Sequence, residues 1–159
     1  MDDRILRQHL RTLLSGHEAH VNWPAALKGL PKKLRGAKPA GVPHSAWELL
    51  EHTRIAQWDI LAFCRNPKHV SPEWPSGYWP KHPSPRSSRE WECSVQSLRR
   101  DMNLMVKLVT NPKIDLAAPI PHGSGQTLLR EALLAADHNS YHLGQFVQLR
   151  RLLGSWPET

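Results

Sequence analysis

Apolar residues recur at helical spacing in four segments of the chain, and stretches rich in proline and polar residues separate these segments. The first segment covers residues 3–20. The second opens at Ser45, which together with Glu48 has the spacing of a capping box, and it should end where Pro67 prevents a helix from continuing. No alternating pattern typical of a β-strand extends over a useful length. The pattern therefore predicts an all-α fold.

The last two segments have similar start and stop signals. Ser87 opens the third helix as a second candidate capping box with Glu90, and this helix should end before Pro112. The fourth should run over residues 126–153, with Gly154 behind it as a C-terminal glycine. Four amphipathic helices of similar length suggest a four-helix bundle. The loops between them are long for a simple bundle, so at least one should cross the bundle or cover one of its ends.

The loop over residues 67–85 is unusual because it combines six prolines with several aromatic residues. No regular helix fits there. We expect Trp74 and Trp79 to anchor this loop over one end of the bundle. Three further tryptophans lie on predicted helices and should fill the bundle core: Trp47, Trp58 and Trp91.

Composition and length predict one globular domain over residues 1–159, because the chain is 40% hydrophobic and 22% charged. The longest apolar stretches have five residues, whereas a membrane span needs about 20, so a transmembrane protein is excluded. The N-terminus carries charges where a signal peptide has an apolar run, which argues against export. Cys64 and Cys93 do not form a CxxC motif, and we expect both to be small, reduced core residues. These features together predict a cytoplasmic protein.

The net charge of +7 raises the question of nucleic-acid binding. Five basic residues lie between Lys28 and Lys38, and further basic pairs lie elsewhere in the chain. This charge is scattered, and no helix-turn-helix or zinc-finger pattern accompanies it. We therefore expect a solvated basic surface and no nucleic-acid partner. The positive sign is compatible with a modest preference for anionic substrates.

Two histidines four positions apart, His138 and His142, lie in the middle of the last predicted helix. Residues at this spacing share one face of a helix, so both imidazoles can point at one spot. His52 lies on the inward stripe of the second helix with Leu49 and Ala56. Three inward histidines from two helices are explained by a shared metal cation. They are also explained if each is a core histidine with its own hydrogen-bond partner, and the spacing alone leaves both interpretations open.

Neighbouring polar residues are weaker candidates for catalysis. Glu48 either acts as a base beside His52 or only caps its helix, and Asp137 either orients a ligand histidine or is a solvated carboxylate. Tyr141 either donates to a substrate oxygen or packs between helices. His20 is a candidate for an additional polar wall of the site, with an ordinary surface position as the alternative. The histidines of the loops are given no ligand role: His44, His69, His82 and His122.

Four stretches of the sequence resemble the DinB/YfiT-like superfamily. Residues 45–57, which begin SAWELLEH, resemble its second helix, and residues 125–145, which include DHNSYHLGQ, resemble its last helix. Residues 77–80 (GYWP) and 115–116 (DL) resemble loop features of its DinB-like branch. The resemblance covers nearly the whole chain. The combination of WELLEH with DHNxYHLGQ is also far more specific than two histidines four positions apart.

The resemblance implies a four-helix bundle with up-down-down-up connectivity, often assembled as a homodimer. It also implies a divalent metal ion, with zinc or nickel as the favoured candidates, held by His52, His138 and His142. Three protein ligands leave one position open to water or substrate. Members of known activity resemble metal-dependent hydrolases or S-transferases that activate a low-molecular-weight thiol, so we expect a small-molecule substrate. The alternative is a non-catalytic metal-binding or stress-associated bundle, and whether the chain is an enzyme stays open.

Overall fold

The computed structural model describes residues 3–16 and 19–157, and this part of the chain folds into α-helices without a β-strand. The helices are α1 (Arg4–Ser15), α2 (Trp23–Leu27), α3 (Ala46–Arg65), α4 (Ser88–Val109) and α5 (Leu128–Leu152). Two short 3-10 helices, Lys32–Leu34 and Ser76–Tyr78, lie in the connections. The all-α prediction is confirmed. None of the described helices is both long and apolar enough to cross a bilayer.

The long helices begin at side chains that satisfy their first backbone N–H groups. Ser45 accepts a hydrogen bond from the Glu48 N–H at 3.2 Å, and the Glu48 carboxylate accepts one from the Ser45 N–H at 2.7 Å, so the predicted capping box of α3 forms. At α4 only the serine half forms. Ser87 accepts from the Glu90 N–H, whereas the Glu90 carboxylate accepts from the N–H of Arg86. The predicted bounds of α3, α4 and α5 agree closely with the structure.

The first helix is shorter than predicted. It ends at Ser15 because Gly16 takes a left-handed conformation (φ 64°), in which its N–H turns back to carbonyls of the last turn. The prediction extended this helix to His20, which instead lies exposed in the connection to α2, while positions 17–18 are outside the described residues. α2 has no counterpart among the predicted helices. It spans five residues with Pro24 in its first turn, which is too short for an amphipathic repeat.

The core joins the long helices through aromatic and aliphatic side chains. α3 packs against both α4 and α5, and α1 also packs against α4 and α5. One core cluster joins Trp47 of α3 to Trp91 of α4 and Phe146 of α5, and a second, mostly aliphatic cluster joins α1 to the other long helices. The expectation that Trp58 fills the core is wrong. Its position on α3 turns it to the surface, where it is 39% exposed and packs edge-to-face on His69.

Two buried arginines close helix ends by donating to backbone carbonyls. Arg7 of α1 donates to the carbonyls of Val109 and Asn111, both at 2.8 Å, at the end of α4. Arg150 of α5 donates to carbonyls at the end of α2, including that of Lys28 at 2.9 Å. The last carbonyls of the neighbouring helices therefore have hydrogen-bond donors, and the two buried guanidinium groups have acceptors.

The expectation that both cysteines are core residues is wrong for Cys93, which is exposed. It follows the buried Trp91 by two positions, and residues two apart on a helix face nearly opposite sides. Cys64 is half-buried near the end of α3. Burial, together with the nearby Glu131 carboxylate, raises the pKa of its thiol to about 12. Cys64 is therefore a neutral thiol at neutral pH.

The proline-rich loop between α3 and α4 packs against α3. Tyr78 donates a hydrogen bond from its hydroxyl to the Asp59 carboxylate at 2.6 Å, and His69 contacts the other oxygen of that carboxylate, also at 2.6 Å. Trp79 is half-buried, whereas Trp74 is 73% exposed. The prediction that both tryptophans anchor the loop is therefore wrong for Trp74. Tyr78, whose hydroxyl reaches the Asp59 carboxylate of α3, anchors the loop in place of Trp74.

Candidate metal centre

Three histidine side chains from two helices converge inside the fold. His52 on α3 faces His138 and His142 on α5, and each offers a ring nitrogen so that these atoms all lie within 4.8 Å of one another. The Nε2 atoms of His52 and His138 are 3.1 Å apart. His52 and His142 are buried, and His138 is half-buried. The spacing of four residues places two imidazoles on one face of α5, and the packing of α3 against α5 brings the third to the same point.

Hydrogen bonds at Nδ1 orient two of these rings. The Nδ1 of His52 donates to the backbone carbonyl of Tyr78 at 2.9 Å, and the Nδ1 of His142 donates to Oε1 of Gln145 at 2.8 Å. Because carbonyl oxygens only accept, the proton of each neutral ring lies on Nδ1. The Nε2 atom of both rings therefore presents a lone pair to the cluster, which is the form that binds a metal.

His138 lacks a partner of this kind. Its Nδ1 atom is buried and has no hydrogen-bond partner among the described residues. Its Nε2 atom lies opposite the Nε2 lone pair of His52. If the proton of His138 lies on Nδ1, the Nε2 lone pairs of His138 and His52 face each other. If it lies on Nε2, the buried Nδ1 lone pair of His138 has no donor among the described residues. A cation at the cluster removes the repulsion between facing lone pairs, so the residues present fit a bound metal ion.

All three imidazoles are held in the neutral form, in which they can bind a cation. Burial, with the neighbouring imidazoles adding to it, lowers the pKa of His138 to about 4. Burial also lowers the pKa of His142 to about 4, although the hydrogen bond to Gln145 opposes this shift. The pKa of His52 is lowered by burial as well. At neutral pH, protons therefore compete only weakly with a cation for these nitrogens.

An indole ring forms one wall of the cluster. Trp79 stacks on His52 with ring centroids 4.0 Å apart and an interplanar angle of 5°. It also stacks on His44, at 4.0 Å and 17°. The sequence carries one signal of this wall, the adjacent aromatic residues of the proline-rich loop. For His44 there is no such signal, since a histidine in a loop gives no indication of what its ring contacts.

The Glu48 carboxylate stabilises a helix end. It completes the capping box with Ser45 and forms an ion pair with Lys38 at 2.8 Å. Burial alone would raise the pKa of Glu48, but hydrogen bonds from Lys38 and Ser45 outweigh burial and hold it below its ordinary value. In the described part of the chain no hydrogen bond joins this carboxylate to the three histidines. These contacts fit the capping role and not that of a base.

The other candidate residues lie at the edge of the cluster or outside it. Tyr141 is 65% exposed, so the alternative that it packs between helices is wrong, and its ring meets that of His142 edge-on with centroids 5.0 Å apart. It precedes His142 by one position, which turns it by about 100° toward solvent. Asp137 is exposed on the same helix. His20 is exposed and contacts the Val21 carbonyl through Nδ1 at 2.7 Å, so it forms no wall of the cluster.

The sequence matches the family model of the DinB superfamily over residues 17–146. This range is most of the chain, and it contains all three histidines of the cluster. No curated protein and no solved structure gives a significant match. The helical fold agrees with the family match. The chain therefore belongs to the DinB superfamily.

Proposed function

We propose that this chain binds one divalent metal ion, zinc or nickel, through His52, His138 and His142, and uses it in a hydrolytic or thiol-transfer reaction on a small molecule. The observation that carries this proposal is the convergence of three ring nitrogens within 4.8 Å. Two of the rings are oriented by hydrogen bonds at Nδ1, which is the usual arrangement of metal-binding histidines. The Nε2 atoms of His52 and His138 face each other at 3.1 Å, which is a further reason for a cation between them.

The chemistry of the donor set supports a transition metal. Imidazole nitrogens suit zinc, nickel, copper and iron, whereas calcium and magnesium require oxygen ligands. Among the described residues, no carboxylate or thiol belongs to the cluster. An ion with three protein ligands keeps a coordination position open and lowers the pKa of water or a thiol bound there, so that a nucleophile is available near neutral pH.

A cavity beside the cluster supports a small substrate with an apolar part. It has a volume of about 340 Å³. None of the three histidines lines it, but it adjoins the cluster through Gln145, which orients His142, and His44, which stacks on Trp79. Its apolar walls are Val42, Pro43, Leu49, Leu149 and Leu152, and no charged side chain lines it among the described residues. A short alkyl chain or a small uncharged ring fits these walls.

Tyr141 is the candidate that we favour for contact with the substrate. Its ring touches that of His142, and its side chain is 65% exposed, so its hydroxyl is accessible from solvent. A phenol in this place can donate a hydrogen bond to a substrate oxygen. Glu48 is engaged in its capping box and its ion pair, and has no comparable contact with the histidines.

The alternative function is non-catalytic, with the metal only stabilising the fold. One observation favours it: the three histidines come from α3 and α5, so a bound ion would link two long helices. A ligand that binds only the folded state stabilises that state. Both functions therefore predict stabilisation by metal, and turnover is what distinguishes them.

Metal analysis of protein purified without a histidine tag tests the site. After reconstitution we expect about one zinc or nickel ion per chain in the wild type and less than about 0.2 in His138→Ala. His82→Ala is the matched control, because His82 is an exposed residue of the proline-rich loop, and it should bind metal as the wild type does. Equal metal contents in His138→Ala and the wild type would refute the proposal.

Turnover assays then distinguish the enzyme from the metal-stabilised bundle. Metal-loaded protein is offered a panel of esters, amides and pairs of a low-molecular-weight thiol with an electrophile. We expect turnover of at least one class, lost in His142→Ala and reduced in Tyr141→Phe. A metal-dependent rise in Tm without turnover of any class would favour the non-catalytic alternative.

A further inference from the structure

A larger cavity, of about 660 Å³, lies between α1, α2 and α4 and is lined by none of the residues of the proposed metal centre. Its volume is within the range of small-molecule sites, about 300–1,000 Å³. Most of its walls are apolar, and they include Trp23, Leu27, Leu30, Trp91, Leu98 and Met102. A ligand in this cavity would therefore bury a largely apolar body.

One charged side chain of this cavity is nearly buried and lacks hydrogen bonds. The side chain of Arg35 is 11% exposed, and its nearest carboxylate, on Glu92, is 3.7 Å away and 58% exposed. That distance is too long for a hydrogen bond. No hydrogen bond joins the guanidinium to an acceptor among the described residues, and its Nε is buried without a partner, as the Nε atoms of Arg7 and Arg150 also are. It lies over the ring of Trp91, 4.5 Å from the centroid.

The two arginines of the buried class, Arg7 and Arg150, show how this fold treats a guanidinium elsewhere. Arg7 donates to three backbone carbonyls and to a carboxylate, and Arg150 also donates to three carbonyls. Arg35 has a weak ion pair and an aromatic face in place of these acceptors. Burial lowers the pKa of Arg35, with Glu92 opposing the shift. The cation is thus poorly compensated, and an anion in the cavity would supply what it lacks.

Positive charges predominate among the described residues that line the cavity. Lys28 and Arg99 line it together with Arg35, whereas Glu92 is the one acidic residue among its described lining residues. A negatively charged ligand is therefore attracted, and a positively charged one is repelled. The apolar walls disfavour a small inorganic anion, because it would lose its hydration without burying apolar surface.

We propose that this cavity binds an amphiphilic carboxylate, a small molecule whose apolar body packs against Trp91 and its neighbours while its carboxylate pairs with Arg35. Guanidinium and carboxylate fit each other through two parallel hydrogen bonds. A saturated or aryl-substituted alkanoic acid has this chemistry. The cavity contains none of the three histidines, so its occupation is independent of the metal.

Isothermal titration calorimetry with three probes tests the site: decanoate, decanol and decyltrimethylammonium, which share a decyl chain and differ in the head group. For the wild-type protein we expect decanoate to bind at least about ten-fold more tightly than decanol, because hydrogen bonds between charged partners add roughly that much affinity. Decyltrimethylammonium should bind most weakly. The same order is expected with and without metal.

Variants identify the residue responsible for the preference. Arg35→Met removes the charge and keeps an apolar side chain, so decanoate and decanol should bind with equal affinity. Arg35→Lys keeps the charge without the planar fork and should retain part of the preference. Arg99→Gln is the matched control, since Arg99 is an exposed basic residue of the same cavity, and most of the preference should remain.

Three results would overturn the proposal. The first is that the wild type binds none of the probes, and the second is that it binds decanol as tightly as decanoate. The third is that the preference for decanoate survives unchanged in Arg35→Met. Circular dichroism shows whether each variant is folded. If Arg35→Met does not fold, the affinities for decanoate and decanol are compared in the wild type and in Arg35→Lys, and these two proteins still test the role of Arg35.

Discussion

Tyr78 donates a hydrogen bond of 2.6 Å from its hydroxyl to the carboxylate of Asp59. The backbone carbonyl of the same tyrosine accepts the Nδ1 proton of His52 at 2.9 Å. Asp59 and His52 both belong to α3, so one loop residue is attached to this helix at two places. Burial, together with the Asp59 hydrogen bond, raises the pKa of Tyr78 to about 12, which keeps its hydroxyl a donor. The loop thereby determines the orientation of a proposed metal ligand.

Replacing Tyr78 by phenylalanine should weaken metal binding although no ligand is changed. The variant loses the anchor to Asp59, so the carbonyl that orients His52 is held less firmly. Removal of the direct hydrogen-bond partner of a ligand typically costs about 10–100-fold in metal affinity, and because the carbonyl itself remains we expect a fall near the lower end of this range. Competition with a chelator measures the effect. Tyr141→Phe is the control, and a Tyr78→Phe variant that binds metal as tightly as this control would contradict the anchoring role.

Gln145 should be needed for the orientation of His142. In Gln145→Leu the Nδ1 proton of His142 loses its acceptor, and we expect metal affinity to fall by about ten-fold or more. Gln145→Glu keeps an acceptor and should bind metal more tightly than the leucine variant. Gln148→Leu, at an exposed position one turn later, serves as the control. The role of Gln145 is refuted if the two leucine variants bind metal equally well.

The metal-free protein should lose stability as the pH falls below about 6.5. Histidine has a pKa of about 6.5 in the unfolded chain, whereas the pKa values of His138 and His142 are about 4 in the folded protein. Between these values the unfolded chain binds more protons, so stability decreases as the pH falls and is unaffected by these groups above about 6.5. Thermal unfolding from pH 7 to 4 should show a steeper fall in Tm for the wild type than for the double variant His138→Gln, His142→Gln. Equal slopes would contradict the buried neutral state.

Trp79 should report metal binding through its fluorescence. Its indole stacks on His52 at 4.0 Å, so a nickel or copper ion held by the cluster lies close enough to quench its emission. We expect the metal-dependent quenching to be largely lost in Trp79→Phe and retained in Trp74→Phe, since Trp74 is 73% exposed in the same loop. Identical quenching in both variants would show that the ion binds elsewhere.

Features that depend on local spacing were predictable from the sequence. The capping box of Ser45 and Glu48 located the start of α3, and a spacing of four placed His138 and His142 on one face of α5. The helical class followed from the apolar repeat. The end of α1 was not predictable in this way, because Gly16 is tolerated inside a helix as well as behind one.

Features that depend on the path of a loop were beyond the reach of the sequence. The contacts of Tyr78 with Asp59 and His52 join residues far apart in the chain, and no periodic pattern relates a loop carbonyl to a helix. The positions of Trp58 and Tyr141 are a different case. Hydrophobicity predicts a core position for Trp58, and for Tyr141 packing between helices was one of two alternatives, but each helix turns these side chains toward solvent.

X-ray absorption spectroscopy at the metal edge of the reconstituted protein tests the central claim most directly. We predict three imidazole nitrogens per ion at about 2.0–2.2 Å, and loss of this signal in the His52→Ala variant. Sulfur ligands at about 2.3 Å, or oxygen ligands without imidazole, would contradict the assignment of His52, His138 and His142 as the metal ligands.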